Sequence, residues 1–233
     1  VFLEDNYSIY LDKNVTDSLS ESLDGSYEGI GIVAMGNMVY QVYEGSPAEK
    51  AGIKANDQIV KINDTEITVD NYDLIAELLH KDKQNIVVVK REDEELTFKV
   101  KMSEVEIPSV SSDVIVSEDK TKNIGYLSLS SFSSHSFEDF EEELLALEEK
   151  EINSLIIDLR DNTGGYLAAV TDISSLFLKK GEVIYSLENK NKIKVYKDET
   201  KDSREYNIVV LVNANTASAA EILASCLKDS YGA

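Results

Sequence analysis

This 233-residue chain is poor in the residue types that most catalytic chemistries draw on. It has one cysteine, two histidines, two prolines and no tryptophan. A lone Cys226 excludes an internal disulfide and a cysteine-rich zinc site. Only His80 and His135 could supply imidazole, so no HExxH or histidine cluster exists, and no metal or other cofactor is expected. His135, in Ser133-Ser134-His135-Ser136 ahead of an amphipathic stretch, is better read as a solvated residue at a helix start than as the base of a Ser–His–Asp triad. Lys and Arg total 23 against 44 Asp and Glu, a net charge of −21. That balance argues against nucleic acid, which needs clustered cations to neutralise phosphate. No apolar run approaches the ~20 residues needed to span a membrane, and the N-terminus lacks a signal-peptide pattern. The chain starts at Val1 rather than Met, which we read as a mature or truncated fragment, a reading that leaves room for an upstream signal or anchor.

What is present is ordinary globular composition, 42% hydrophobic and 29% charged, enough for one large domain or two smaller ones. The most informative stretch is Asn213-Ala214-Asn215-Thr216-Ala217-Ser218-Ala219-Ala220-Glu221-Ile222. It follows Ile208-Val209-Val210-Leu211-Val212, a short β-branched run that reads as a buried strand. It leads into Glu221 to Lys228 with helical apolar spacing. Ser218 therefore falls at a strand-to-helix turn among alanines. Small neighbours let a substrate backbone come close, and the first N–H groups of a helix can receive a developing oxyanion. On its own the pattern is better explained by helix capping through Thr216 or Ser218, and its company elsewhere in the chain reverses that.

Residues 1–25 read as the end of an N-terminal region. From Tyr27 onward the texture changes. Strands are expected at Tyr27 to Val33, Met38 to Tyr43 and Asp57 to Asn63, with a turn and short helix at Gly45-Ser46-Pro47-Ala48-Glu49-Lys50-Ala51-Gly52. Asp70 to His80 predicts a helix with Tyr72, Ile75, Leu78 and Leu79 on one face. Asn85 to Arg91 and Leu96 to Val100 predict a hairpin. This ordered set resembles a PDZ domain of the kind carried by bacterial proteases. Gly29-Ile30-Gly31-Ile32 matches the family's carboxylate-binding loop, while Gly45-Ser46-Pro47-Ala48, Ala51-Gly52-Ile53 and Asp57-Gln58-Ile59 match its middle signature. The resemblance implies a peptide tail added as a strand beside Ile30 to Val33. Its terminal carboxylate would sit on backbone N–H groups, and its last side chain would meet Leu78 and Leu79. Asn56 stands where the family usually has glycine, a substitution compatible with a left-handed turn.

Met102 to Lys122, with Pro108, reads as a connecting strand and linker, and a domain boundary is placed near residue 105. Beyond it come a strand at Asn123 to Leu129 and a helix capped by Ser136. An apolar run follows at Leu155 to Leu159, broken by Arg160-Asp161-Asn162-Thr163-Gly164-Gly165. Then come a helix from Tyr166 to Phe177 and a hairpin around Asn189-Lys190-Asn191. The alternation of strands and helices means α/β layering.

Three motifs in order, Gly125-Tyr126-Leu127, Ile156 to Gly165, and Val212-Asn213 with Thr216 to Glu221, resemble the C-terminal processing (tail-specific) serine peptidases. The fold this implies is an α/β catalytic core of ClpP- or crotonase-like layering, residues 106–233, behind a β-rich PDZ domain with two helices, residues 26–105. The nucleophile carries over to Ser218, and the oxyanion hole to the backbone N–H groups of Ala219 and Gly164, with Gly165 as neighbour. The family's base is a lysine, held neutral by burial far below its free pKa of about 10.4 and set roughly two dozen residues after the serine. The chain ends at Ala233, and Lys228, ten residues along from Ser218, would stand about 15 Å away on a helix. The expectation is a Ser–Lys endopeptidase that takes substrates with apolar C-terminal tails, here without its base and so inactive. The alternative is a tail-binding scaffold with a degenerate core. The resemblance further implies an extracytoplasmic location and allows a homo-oligomer.

Overall fold

The computed structural model describes residues 23–190 and 192–233. The expected N-terminal region thus lies outside the described residues except for its last three positions. The chain divides into two compact units, one spanning Ser26–Ile107 and the other containing Pro108–Ala233.

In the first unit, β1 (Ser26–Gly29) pairs antiparallel with β8 (Ser103–Glu106). A second, antiparallel sheet has the path β2 (Ile32–Met35), β3 (Met38–Val42), β4 (Gln58–Ile62), β6 (Gln84–Arg91) and β7 (Glu94–Lys101), with β5 (Thr65–Glu66) paired to β4. The alternating β6 residues Val87 and Val89 turn inward onto Ile59, Ile62 and Val100, as a period of two demands of a half-covered sheet. Helix α1 (Pro47–Ala51) is short because its signals are close together. Ser46 Oγ accepts the Glu49 N–H at its start, and Gly52 closes it at φ 98°. Asn56 takes φ 70°, the left-handed turn its side chain permits. The helix expected from Asp70 to His80 is reduced to a 3-10 turn, Tyr72–Ile75. Asn71 has no side-chain cap there, and Asn85 instead ties the His80 backbone to the sheet through its amide.

In the second unit a four-stranded sheet runs β14 (Asn207–Leu211), β11 (Ser154–Asp158), β10 (Asn123–Leu129), β9 (Val110–Val116). The first three are parallel and β9 is antiparallel. The stretch read as linker therefore supplies two strands, β8 and β9, on either side of Pro108. Helices α2 (Ser136–Glu148), α3 (Leu167–Ser175) and α4 (Ala219–Cys226) cover the sheet. Their apolar residues Phe140, Leu144, Val170, Ile173 and Leu223 join Leu127, Leu155 and Ile157 in one core. Ser136 does not cap α2. It is the first helical residue, and its hydroxyl donates to the Ser133 carbonyl instead. Strands β12 (Val183–Asn189) and β13 (Lys192–Lys197) form the expected hairpin. Strand β14 is an edge of its sheet, with Val209 and Val212 exposed, so its apolar run is covered on one face only.

Candidate active site

The C-terminal ends of β11 and β14 are where parallel strands deliver chain to a crevice. After Asp158 the chain turns through Asp161 at φ 62°, and Gly164 and Gly165 follow at φ 103° and 142°. After Leu211 it turns through Asn213 to Ser218 and enters α4. The two turns are stitched together. Asn213 Oδ1 accepts the Asp161 N–H at 3.0 Å, and Asp161 Oδ1 accepts from both Asn213 Nδ2 (3.0 Å) and Asn215 Nδ2 (2.7 Å). Those amides, Asn215 first, hold the Asp161 carboxyl below the usual carboxylate range. Thr216 is no helix cap. Its hydroxyl donates to the Leu159 carbonyl at 2.8 Å and pins the second turn to the end of β11.

Ser218 is exposed, at φ 53° and ψ −121°. A side chain in that sparsely populated region costs ~1–3 kcal/mol, and the surrounding bonds must hold it there. The Ser218 N–H donates to Glu221 Oε2 at 2.7 Å, and the Ala217 N–H donates to the Asn162 carbonyl at 3.0 Å. Ser218 thus stands exposed on a sharp strand-to-helix turn, at the N-cap position of α4. Beside it lies an open groove of about 510 Å³ bordered by Val183, Tyr185, Ile222, Ser225 and Cys226. Burial pushes the Cys226 thiol pKa up, so Cys226 is a wall of the groove and no competing nucleophile.

The glycine turn packs directly on Ser218. A Cβ on Gly164 would stand 2.8 Å from Ser218 Cβ and 2.9 Å from the Ala219 nitrogen. The Gly164 N–H, however, donates to Asn162 Oδ1 at 2.8 Å. Among the described residues, the Ala219 and Gly165 N–H groups have no acceptor. Gly165 forms a parallel bridge to Phe132, flanked by Phe132 N–H to the Gly164 carbonyl and Tyr166 N–H to the Phe132 carbonyl. Its own N–H therefore points away from Phe132.

Asn162 was not among the residues singled out from sequence. It is fully buried, and its Nδ2 donates to the Leu129 carbonyl at 2.8 Å. One side chain thus joins the end of β10 to the glycine turn, while its backbone holds the residue before Ser218. An asparagine just ahead of paired glycines was the available signal. Also unforeseen is a charged pair at the end of β11. Asp158, buried, accepts from Arg160 and from Tyr126 Oη at 2.5 Å. The Arg160 guanidinium holds its carboxyl down at about 2.

No lysine or histidine lines the groove at Ser218, and Lys228 is exposed on the π-helical turn that follows α4. Among the described residues no group of His, Cys, Asp and Glu could hold a metal ion. His135 is exposed and lies at the start of α2.

The first unit has its own groove, about 350 Å³, between β2 and the 3-10 turn. It is lined by Ile32 and Ala34 on one side and by Tyr72, Ile75, Ala76 and Leu79 on the other. Strand β2 is the sheet's edge, so its backbone groups are open to an added strand. Gly29 and Ile30 also border the groove. Gly31, at φ 83°, packs on Ser46, where a Cβ would approach to 2.2 Å. Of the two leucines singled out, Leu79 faces the groove. Both pack against the core, but Leu78 does not border the groove and lends its carbonyl to Asn63 Nδ2. Arg91, at the end of β6, is part-buried. Its guanidinium bonds both oxygens of the fully buried Asp57, at 2.7 and 2.9 Å, and the Gly52 carbonyl.

Residues 123–233 match Peptidase family S41 and residues 38–91 match the PDZ domain; the chain carries an S41 peptidase domain behind a PDZ domain. It is 35% identical to carboxy-terminal processing protease CtpB of Bacillus subtilis (strain 168), over 97% of this chain and 49% of that protein. Against CtpA of the same organism it is 34% identical, over 98% of this chain and 50% of the relative. Among solved structures it resembles a photosystem II D1 C-terminal processing protease, at 27% identity and a TM-score of 0.47, covering 88% of this chain and 58% of that one. The chain spans about half the length of the curated relatives it matches. Among the described residues no helix is long and apolar enough to cross a membrane.

Proposed function

We propose that this chain is the tail-binding and nucleophile-bearing part of a serine endopeptidase that acts on proteins with apolar C-terminal tails. The observation that carries the reading is Ser218, exposed in a strained conformation with Gly164 packed against it. Its hydroxyl attacks a peptide carbonyl while its proton passes to a base. The oxyanion that forms is met by the N–H groups of Ala219 and Gly165, the two without acceptors, rather than by the N–H of Gly164, which Asn162 holds. The leaving amine takes a proton, an acyl ester remains on Ser218, and water hydrolyses it. Preorganised donors of this kind are worth about 10²–10³ in rate each.

The base is a lysine, as the family resemblance implies. Among the described residues no lysine borders the Ser218 groove, and under this reading we expect no cleavage by the 233 residues on their own. In the first unit the edge of β2 and the Gly29-Ile30-Gly31-Ile32 loop bind the tail, with Leu79 and Ile75 receiving its last side chain. A location outside the cytoplasm fits such substrates.

A second reading, favoured by the open groove of the first unit, is a scaffold that binds tails and never cleaves. The two are separated by turnover of a peptide with a free apolar C-terminus, using a protein that carries these residues together with the remaining length its relatives have. Cleavage abolished by Ser218→Ala supports the peptidase. Tail binding without cleavage by the unsubstituted protein supports the scaffold.

A further inference from the structure

The walls of the first unit's groove are mainly apolar, but its rim carries charge of one sign. Glu28 and Asp73 both border it, and among the described residues no lysine, arginine or histidine does. The two carboxylates are not equivalent. Glu28 is engaged by Lys81. Asp73 is exposed, and among the described residues its side chain makes no hydrogen bond and joins no ion pair. Beside it on the same 3-10 turn stands Tyr72, 47% exposed, which borders the groove as well. An open aromatic ring next to an unpaired carboxylate suits a cation on a long stem. The ring face and the carboxylate both attract the charge, and the methylenes lie against the ring.

On the facing wall Ile32, Ala34 and Gly36 border the groove, while Val33 and Met35 do not. That period of two is a strand presenting one face. A tail whose carboxylate reaches the loop before β2 runs antiparallel to that strand and turns every second side chain, counted from the last, into the groove. Under the tail-binding reading Ile75 and Leu79 take the last one. Tyr72 lies three residues before Ile75, about 6 Å along a 3-10 turn, and alternate side chains on a strand are ~6.8 Å apart. The side chain that comes level with Tyr72 and Asp73 is therefore the one two residues before the end.

We propose that Tyr72 and Asp73 select tails that carry a lysine or arginine two residues before an apolar last residue. The inference rests on the tail-binding reading given above and adds a charge requirement at a second position. The apolar walls alone accept many tails. A carboxylate on the rim rewards a basic side chain and repels an acidic one at the same place, so it widens the difference between them from both sides. The chain's net charge of −21 draws in cationic peptides as a whole, but it does not tell one position of a peptide from the next.

The test measures binding of the 233-residue chain to short fluorescent peptides ending in valine, with lysine or glutamate placed either two residues before the valine or directly before it. At the first position lysine is expected to bind roughly fivefold more tightly than glutamate, the scale of one exposed ion pair with an aromatic face beside it. At the second position the difference is expected to be smaller. Asp73→Asn should remove the excess at the first position and Asp73→Lys should reverse the preference there, with thermal melts unchanged because Asp73 is exposed. A difference of the same size at both positions, or one that survives in Asp73→Asn, would mean that overall charge acts alone and would overturn the proposal. A preference for glutamate, or none, overturns it too. If the lysine peptide binds no better as the free acid than as its C-terminal amide, or no peptide binds, the tail-binding reading itself fails and this inference falls with it.

Discussion

Gly164 and Ser218 touch: a methyl group placed on the glycine would fall 2.8 Å from the serine's Cβ. The close approach fixes the spacing between a turn that ends one parallel strand and the turn that ends its neighbour. At φ 103° the position is also closed to an L side chain without strain. Gly164→Ala is expected to lower turnover by about 10²-fold in a protein able to cleave, because small displacements of aligned groups carry penalties of that size. Initial rates on a tailed peptide, with Ser218→Ala as the floor, check it. A loss of affinity for the tail peptide with unchanged turnover would contradict it.

Asn162 is the larger structural risk. Asn162→Ala strands the Leu129 carbonyl and the Gly164 N–H in the core, each worth ~1–3 kcal/mol when unsatisfied. A drop in Tm of several degrees is expected by calorimetry. Asn162→Asp keeps the acceptor for Gly164 but turns a buried carboxylate on the Leu129 carbonyl, so it is expected to destabilise more than alanine does.

Arg91 and Asp57 make the corresponding prediction for the tail-binding unit. Arg91→Ala leaves a fully buried carboxylate without its guanidinium, a loss of ~3–5 kcal/mol. Arg91→Lys recovers only part of it, since an ammonium cannot bond both carboxylate oxygens and the Gly52 carbonyl in one plane. Urea denaturation of the three proteins gives the order directly.

Both buried carboxylates tie stability to pH with the same sign. Burial alone would raise the Asp57 pKa, but Arg91 and the Lys54 N–H outweigh it and the group ends below its ordinary value. The carboxyl of Asp158 lies at about 2 beside Arg160. A carboxyl with a depressed folded pKa adds stability above its unfolded value near 3.9, and that stability is lost as pH falls toward the folded value. Stability is therefore expected to be flat from pH 7 to 5 and to fall between about 4 and 2. Asp158→Asn should remove part of that acid-side slope, of order 1–2 kcal/mol given that Arg160 is half exposed. Denaturation midpoints across that range decide it.

The succession of elements and Ser218's place on a strand-to-helix turn were legible because local signals agreed there. Alternation in Val87 and Val89, the Ser46-Pro47 start with its Gly52 stop, and the small residues around Ser218 each act over a few positions. What could not be read depends on distant partners. The Asp70–His80 pattern was helical in spacing, yet Asn85 captures the backbone at His80 and only one 3-10 turn forms. Leu78 and Leu79 are adjacent in sequence and face different surroundings. Asn162 satisfies a carbonyl 33 residues away, which no window on the sequence contains.

The central claim is that Ser218 is the attacking group. It is tested most directly by following cleavage of a tailed peptide by the longer protein, these 233 residues together with the rest of the length of its relatives, with and without Ser218→Ala. The account predicts turnover by the first and none by the second, with tail affinity unchanged between them. Equal cleavage by the two proteins would contradict it.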